Sequence, residues 1–446
     1  MSGERIEGWG LFSTPGREVL GEDLGAITRG VSLTRGLGRS YGDSSLPASA
    51  GSTVAGTVLA DRILGFDEAS GLLHAEAGLS LYEINRIFLK RGWFVPVTPG
   101  TQFVTLGGMV ASDVHGKNHH REGCFGEHVS RLRMRLADDS IVECGPDDRA
   151  ELFDATIGGM GLTGHILEVS FTMRRIPSPW ILQESSRIPD IEAFVEALKK
   201  AGPEWPMTVG WIDCVSGGSN LGRGILMRGR WAEPVEAPSR FPAQPPRLAM
   251  PFYLPSWLLN PLSVLAFNTL FYWKHLRREK RGIVSPWSFF YPLDAILHWN
   301  RMYGRQGFTQ YQCVLPDDAG SQAARRFLEL LTRVGGASFL CVIKDCGPEG
   351  RGMLSFPRPG ISIALDIPMR HWTQGVVDQL NAFVIAEGGR IYLTKDTLSR
   401  PEDFASMEPR LNRFQAFRRA IDPGLRIRSH QSVRLLGDDP PDQGSP

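Results

Sequence analysis

Between Pro99 and His120 the chain brings together a Pro-Gly turn, a glycine pair at Gly107-Gly108 and the run His115-Gly116-Lys117-Asn118-His119-His120, with apolar residues suited to burial between them. Glycines let a backbone approach a ligand that a Cβ would hold away. The combination suits a backbone laid against a large planar ligand, with imidazole and ammonium groups facing its reactive edge. At 446 residues the chain exceeds one ordinary core, so at least two domains are expected around this stretch.

A second glycine-rich segment, Arg35-Gly36-Leu37-Gly38-Arg39-Ser40-Tyr41-Gly42-Asp43, follows a short extended run at 27–30. Its N–H groups can form an anion-binding nest, with Arg35 and Arg39 adding charge. Strands are expected at 63–67 and 73–77. A helix capped by Ser80 and Glu83 carries Leu81, Ile84, Ile87 and Phe88 on one face and stops at Gly92. Residues 159–164 spell G-x-G-x-x-G, but an alternating strand follows instead of a helix, which argues against a dinucleotide fingerprint. From about residue 176, strands near 208–212, 310–315, 338–343 and 361–367 alternate with amphipathic helices. This spacing predicts an α+β domain with an antiparallel sheet and its helices on one face. The expected division is 1–175, 176–388 and a C-terminal return at 389–446. Gly389 to Asp396 reads as a strand ending at Lys395, a helix runs from Leu411 to Ile421, and the tail after Leu436 has a disordered composition.

Residues 247–281 form an apolar, aromatic segment followed by a basic cluster from Lys274 to Arg281, and are expected to be mobile. Pro251, Pro255, Pro261, Asn260 and Asn268 argue against a membrane span. Two readings stay open for the segment: a contact with a membrane surface or lipid tail, and a lid packed on the second domain. The formal net charge of +1 gives no overall signature for nucleic acid. Six scattered cysteines read as reduced thiols, and no metal site is expected. No secretory signal is visible, so a cytoplasmic location is expected, with peripheral contact at the inner membrane.

The segments 36–43, His115 to His120, Gly161-Leu162-Thr163-Gly164, Ser355-Phe356-Pro357 and Gly388 to Tyr392 together resemble the decaprenylphosphoryl-β-D-ribose 2′-oxidase family. This family lies within the vanillyl-alcohol oxidase type of flavoprotein. The resemblance implies a two-part FAD-binding domain plus an α+β substrate domain. It implies that Arg35 to Asp43 cradle the FAD pyrophosphate. Gly100, Thr101, Thr105, Gly107, Gly108, Ser112, Asp113, Val114 and His115 would line the isoalloxazine and ribityl chain, with Ile166 and Tyr392 in contact. Arg39 stands where related flavoproteins carry a histidine bonded to FAD, so the FAD is expected to be non-covalent. Against the actinobacterial pattern, Ala364 replaces a cysteine, Phe290 a tyrosine and Cys346 a phenylalanine. These changes alter the pocket lining and not the flavin chemistry.

Oxidation of a secondary hydroxyl needs a base at the hydroxyl and positive charge near the flavin edge. Lys395 is expected to polarise or deprotonate the hydroxyl, with His115 holding the geometry. Lys117 and Lys344 suit a substrate phosphate, and Trp211, Gln312 and Ser362 match substrate-pocket positions. The implied activity is oxidation of the 2′-hydroxyl of a polyprenyl-phosphate-linked ribose to a 2-keto intermediate. A separate short-chain reductase would then complete epimerisation to the arabinose configuration. The alternatives are an oxidase of soluble sugar alcohols or aldonolactones, and a catalytically idle flavin-binding partner.

Overall fold

The computed structural model describes residues 4–438 except Ser321, and of Glu4 and Ser256 the backbone alone. The expected tail disorder therefore falls almost wholly on residues outside this range. Three sheets organise the fold. Strands Glu4–Glu7, Ser13–Leu20, Thr53–Gly56 and Leu33–Arg35 form the first in that spatial order, antiparallel at its first pair and parallel at the others. The second is antiparallel, in the order Ile63–Asp67, Leu72–Glu76, His165–Thr172, Val129–Arg135, Ile141–Cys144. Its core continues into the helix Leu81–Phe88, where Ser80 accepts from the Glu83 N–H as expected of its cap.

The third sheet is antiparallel with eight strands, running from Glu279–Val284 at one edge to Arg390–Ile391 at the other. Side chains alternate across it, and this alternation builds the site. Tyr311, Cys313, Leu315, Ile343, Ile363 and Leu365 face the helices Ile191–Ala201, Gln322–Arg333 and Thr373–Ala386 and form one core with them. Their neighbours Gln310, Gln312, Val342, Lys344 and Ala364 face the opposite side and floor a cavity. The α+β class and the one-sided helices are thus as the periodicity indicates.

Several local expectations differ. Leu24–Ile27 is a short helix capped by Asp23, so the run at 27–30 is not extended. The third strand of its group is Cys341–Cys346, later than 338–343. Pairing with Phe308–Pro316 ends after Ile391, and Lys395 sits in a turn closed by its own N–H to the Tyr392 carbonyl at 2.9 Å. Within 99–120, Leu106–Ala111 is a helix despite its glycines. Thr105 caps it by accepting from the Gly108 N–H, and Leu106, Met109 and Val110 are buried. Cap and burial outweigh a glycine penalty of about 1 kcal/mol per residue.

The C-terminal helix His430–Leu436 is tied to the nest loop through Asp43. Asp43 is fully buried and takes Arg434 at 2.8 and 2.9 Å and His430 Nδ1 at 2.8 Å. Burial alone would raise its pKa, but Arg434 and His430 outweigh that and hold it below the usual 3.8. This contribution is present above the unfolded value and is lost as pH falls through the lower folded one. Arg434→Met leaves the carboxylate buried and without its guanidinium. We expect a loss of about 3–5 kcal/mol in chemical denaturation at neutral pH; an unchanged midpoint would contradict this role.

Candidate functional site

One cavity of about 850 Å³ runs from the nest loop to the third sheet. Arg35, Gly36, Leu37, Gly38, Arg39, Ser40 and Tyr41 line one end, and Gly100, Thr101, Thr105, Gly107, Gly108, Ser112, Val114 and His115 line its middle. Ile166, Tyr392, Lys395, Lys117, Trp211, Gln312 and Lys344 complete the expected set. Segments far apart in the chain therefore meet as the sequence indicates. Ala364 and Phe290 also face the cavity, whereas Cys346 is buried away from it.

Four expected residues are not in the lining. Gly42 is pressed against the Asp396 carbonyl, and Asp43 is consumed by Arg434 and His430. Asp113 is buried, accepting from the Gly126 N–H at 2.8 Å and from the Ser355 hydroxyl. Burial pushes its pKa up to about 6. Ser362 is enclosed behind Gln312, whose Nε2 lies 3.2 Å from its Oγ. These groups support the wall.

The polar part of the lining is dominated by buried cations. Lys395 Nζ lies 3.7 Å from the centre of the Tyr41 ring. Burial, opposed by Asp366 and assisted by Lys344, lowers its pKa from 10.5 to about 7. Asp366 receives the Tyr303 hydroxyl at 2.7 Å and the Gln310 amide at 2.6 Å, and burial raises its own pKa to about 6. Sequence reasoning did not single out Asp366, although it sits two residues from Ala364 on the cavity side of the same strand. Lys117 donates to the Phe290 carbonyl at 3.0 Å, and burial with Lys344 nearby lowers it to about 7.

His115 is clamped on both nitrogens. Lys344 Nζ stands 3.0 Å from Nδ1 and Gln312 Nε2 stands 3.1 Å from Nε2. Burial first, then Lys344, His119 and Lys395, hold the imidazole pKa well below 6.5, so the ring is neutral. With Lys344 donating to Nδ1, the ring proton sits on Nε2 and Gln312 must present its oxygen. Lys344 thereby spends one of its three ammonium donors on the imidazole while lining the cavity. Tyr392 donates to the Ser112 carbonyl at 2.9 Å and packs against the His115 ring.

One further feature escaped sequence reasoning. Asp294 lines the cavity, accepts from the Gln102 N–H at 2.9 Å and attracts Arg39, whose guanidinium lies 4.1 Å from the Trp9 ring centre. Nothing in the Pro292–Ala295 turn marks that aspartate in advance. The helix Pro261–Lys274 supplies an apolar wall through Val264, Phe267 and Phe271. Asn268 docks it by donating to Asp213 at 2.9 Å and to the Ser338 carbonyl at 3.3 Å.

The cavity fits a flavin dinucleotide. A Cβ on Gly36 would meet the Thr105 hydroxyl at 2.3 Å, Gly38 has φ of 63°, and around a Cβ on Gly100 there is open space. The buried hydroxyls of Ser44 and Thr57, both in the lining, have no hydrogen-bond partner within the protein. Such orphans are rare unless a ligand or water satisfies them.

Residues 28–145 match a family described as an FAD binding domain. With the cavity above, this defines the class: an FAD-dependent oxidoreductase of α+β fold. The sequence is 33% identical to the decaprenylphosphoryl-beta-D-ribose oxidase of Mycolicibacterium smegmatis over 97% of each chain. It is 30% identical to an uncharacterised protein of Streptomyces coelicolor over 80% of this chain and all of that one. Delta(24)-sterol reductase of Rattus norvegicus is 28% identical over only 26% of this chain and 22% of its own, so that likeness covers a segment. The chain belongs to the decaprenylphosphoryl-β-D-ribose oxidase family.

Proposed function

We propose that this protein oxidises the 2′-hydroxyl of a ribose carried on a polyprenyl phosphate. The product would be the 2-keto sugar, and a separate short-chain reductase would then deliver the arabinose epimer. The observation that carries this reading is a cavity with two unlike linings. Buried lysines and a clamped neutral imidazole line one part of it, and an aromatic, apolar helix walls another. A soluble polyol or lactone would have no use for that wall, and nothing in the site favours such a substrate.

Bound FAD would supply the two-electron acceptor for the hydride that leaves the carbinol carbon. It would be held non-covalently by the nest loop and by the 100–115 glycine and threonine backbone, with Arg39 held against Trp9. Lys395, whose pKa of about 7 leaves a large neutral fraction at neutral pH, would take the hydroxyl proton as the carbonyl forms. The Tyr41 ring holds its ammonium form once protonated, and the Asp366 charge adds to that hold. His115, clamped by Lys344 and Gln312, would keep one orientation and exclude a mobile water. Lys117 would meet the substrate phosphate, whose negative charge would restore its ammonium form.

Turnover of ribosyl polyprenyl phosphate followed by borodeuteride reduction tests the position of oxidation. We expect deuterium at C2 in both ribo and arabino products. Label at another carbon, or none, would overturn the assignment.

A further inference from the structure

We infer that the outward face of the helix Pro261–Lys274, with the residues just before and after it, is a docking surface for an anionic lipid bilayer, and that the cavity opens into that surface. A helix in water normally turns polar side chains outward. Here Val264, Asn268 and Tyr272 face inward, while Leu262 and Leu270 are 79% and 72% exposed and Trp273 is 53% exposed. Leu248, Trp257 and Leu276 extend the patch, at 71%, 73% and 86% exposed. Of the twenty exposed large apolar side chains among the described residues, ten lie between Leu248 and Leu276. A scattered surface would not concentrate them so, and a patch of this kind marks an interaction site.

Charge selects the occupant. Residues 247–281 contain Arg247, Lys274, Arg277, Arg278, Lys280 and Arg281 against one acidic residue, Glu279. The whole chain is nearly neutral at +1, so the excess is local to this segment. Apolar side chains framed by cations match acyl chains beneath anionic headgroups. Trp257 and Trp273 have the amphipathic rings suited to that boundary. Among the described residues no helix is long and apolar enough to cross a membrane, and Asn268 keeps this one docked on Asp213.

Leu258 and Phe267 join the two surfaces, since both line the cavity and are exposed, at 37% and 47%. They place the cavity mouth within the apolar patch. Docking itself stands independently of the substrate. Only the delivery of a lipid tail through that mouth rests on the function proposed above.

The test is co-sedimentation of the holoenzyme with vesicles of phosphatidylglycerol mixed with phosphatidylcholine, and with vesicles of phosphatidylcholine alone. Leu262 and Leu270 lie outside the cavity lining, so L262E/L270E should retain FAD. Wild type is expected to pellet with the anionic vesicles, less so at high salt, and the double variant to bind at least tenfold less. Wild type left in the supernatant, a double variant that still pellets, or a patch that pairs two copies of the chain with no vesicle binding would overturn the proposal. Loss of vesicle binding with oxidation of detergent-dispersed lipid-linked ribose intact upholds docking and the proposed reaction alike. Vesicle binding without that oxidation sinks the proposed reaction alone.

Discussion

Lys395→Met is expected to keep its FAD and to lose substrate-driven flavin reduction by about 10²–10⁴-fold, the range for removing a general base. The methionine preserves the stem that fills the space above Tyr41 but cannot take a proton. In the wild type the lysine serves as base only when neutral. Burial brings its pKa from 10.5 to about 7, so the rate of reduction should rise with pH through about 7 and fall below it. Asp366 opposes that lowering, and Asp366→Asn should move the midpoint to lower pH. Rapid-mixing measurements of flavin bleaching under anaerobic conditions across pH check both. A Lys395→Met protein that bleaches at the wild-type rate would remove the lysine from the chemistry.

The second large effect is structural. A Cβ on Gly42 would lie 1.8 Å from the Asp396 carbonyl oxygen, and that neighbour is backbone that no rotamer change can move. The adjacent Tyr41 N–H donates to the Thr394 carbonyl at 3.0 Å, so the nest loop and the Lys395 turn are fastened at this point. Gly42→Ala is expected to cost about 3 kcal/mol and to strip FAD from the purified protein by spreading the two segments. Gly375→Ala, on a helix position where a Cβ meets nothing within 4 Å, is the matched control and should retain full flavin content. A flavin-loaded Gly42→Ala protein of unchanged stability would show that the fastening is dispensable.

Much of the site was readable because its chemistry is written in short local runs. The Gly36 to Tyr41 loop and the glycines and His115 of the 100–115 stretch needed only to be brought together, and the fold does that. Lys395 was found with the wrong local structure. Strand-forming residues precede it, but pairing runs out at Ile391, and the turn aims the amine at Tyr41. Asp43 and Asp113 carried the right letters for ligand contact, yet partners distant in sequence, Arg434 and Ser355, claim them. No periodicity announces such tertiary competition. Asp366 was within reach, since alternation along Gly360–Pro368 puts it on the same side as Ala364. Asp294 was not, because the short turn Pro292–Ala295 has no repeating pattern. The helix Pro261–Lys274 carries apolar residues on all its faces, so composition could not say which face is the wall of the cavity and which meets the surroundings.

The central claim is that the lysine-rich part of the cavity works on a lipid-linked ribose. Anaerobic titration of the wild-type protein with ribosyl polyprenyl phosphate, followed by flavin absorbance, tests it most directly. The account predicts bleaching that is complete near one equivalent. A flavin that stays oxidised with this substrate, yet bleaches with a soluble sugar alcohol or aldonolactone, would contradict it.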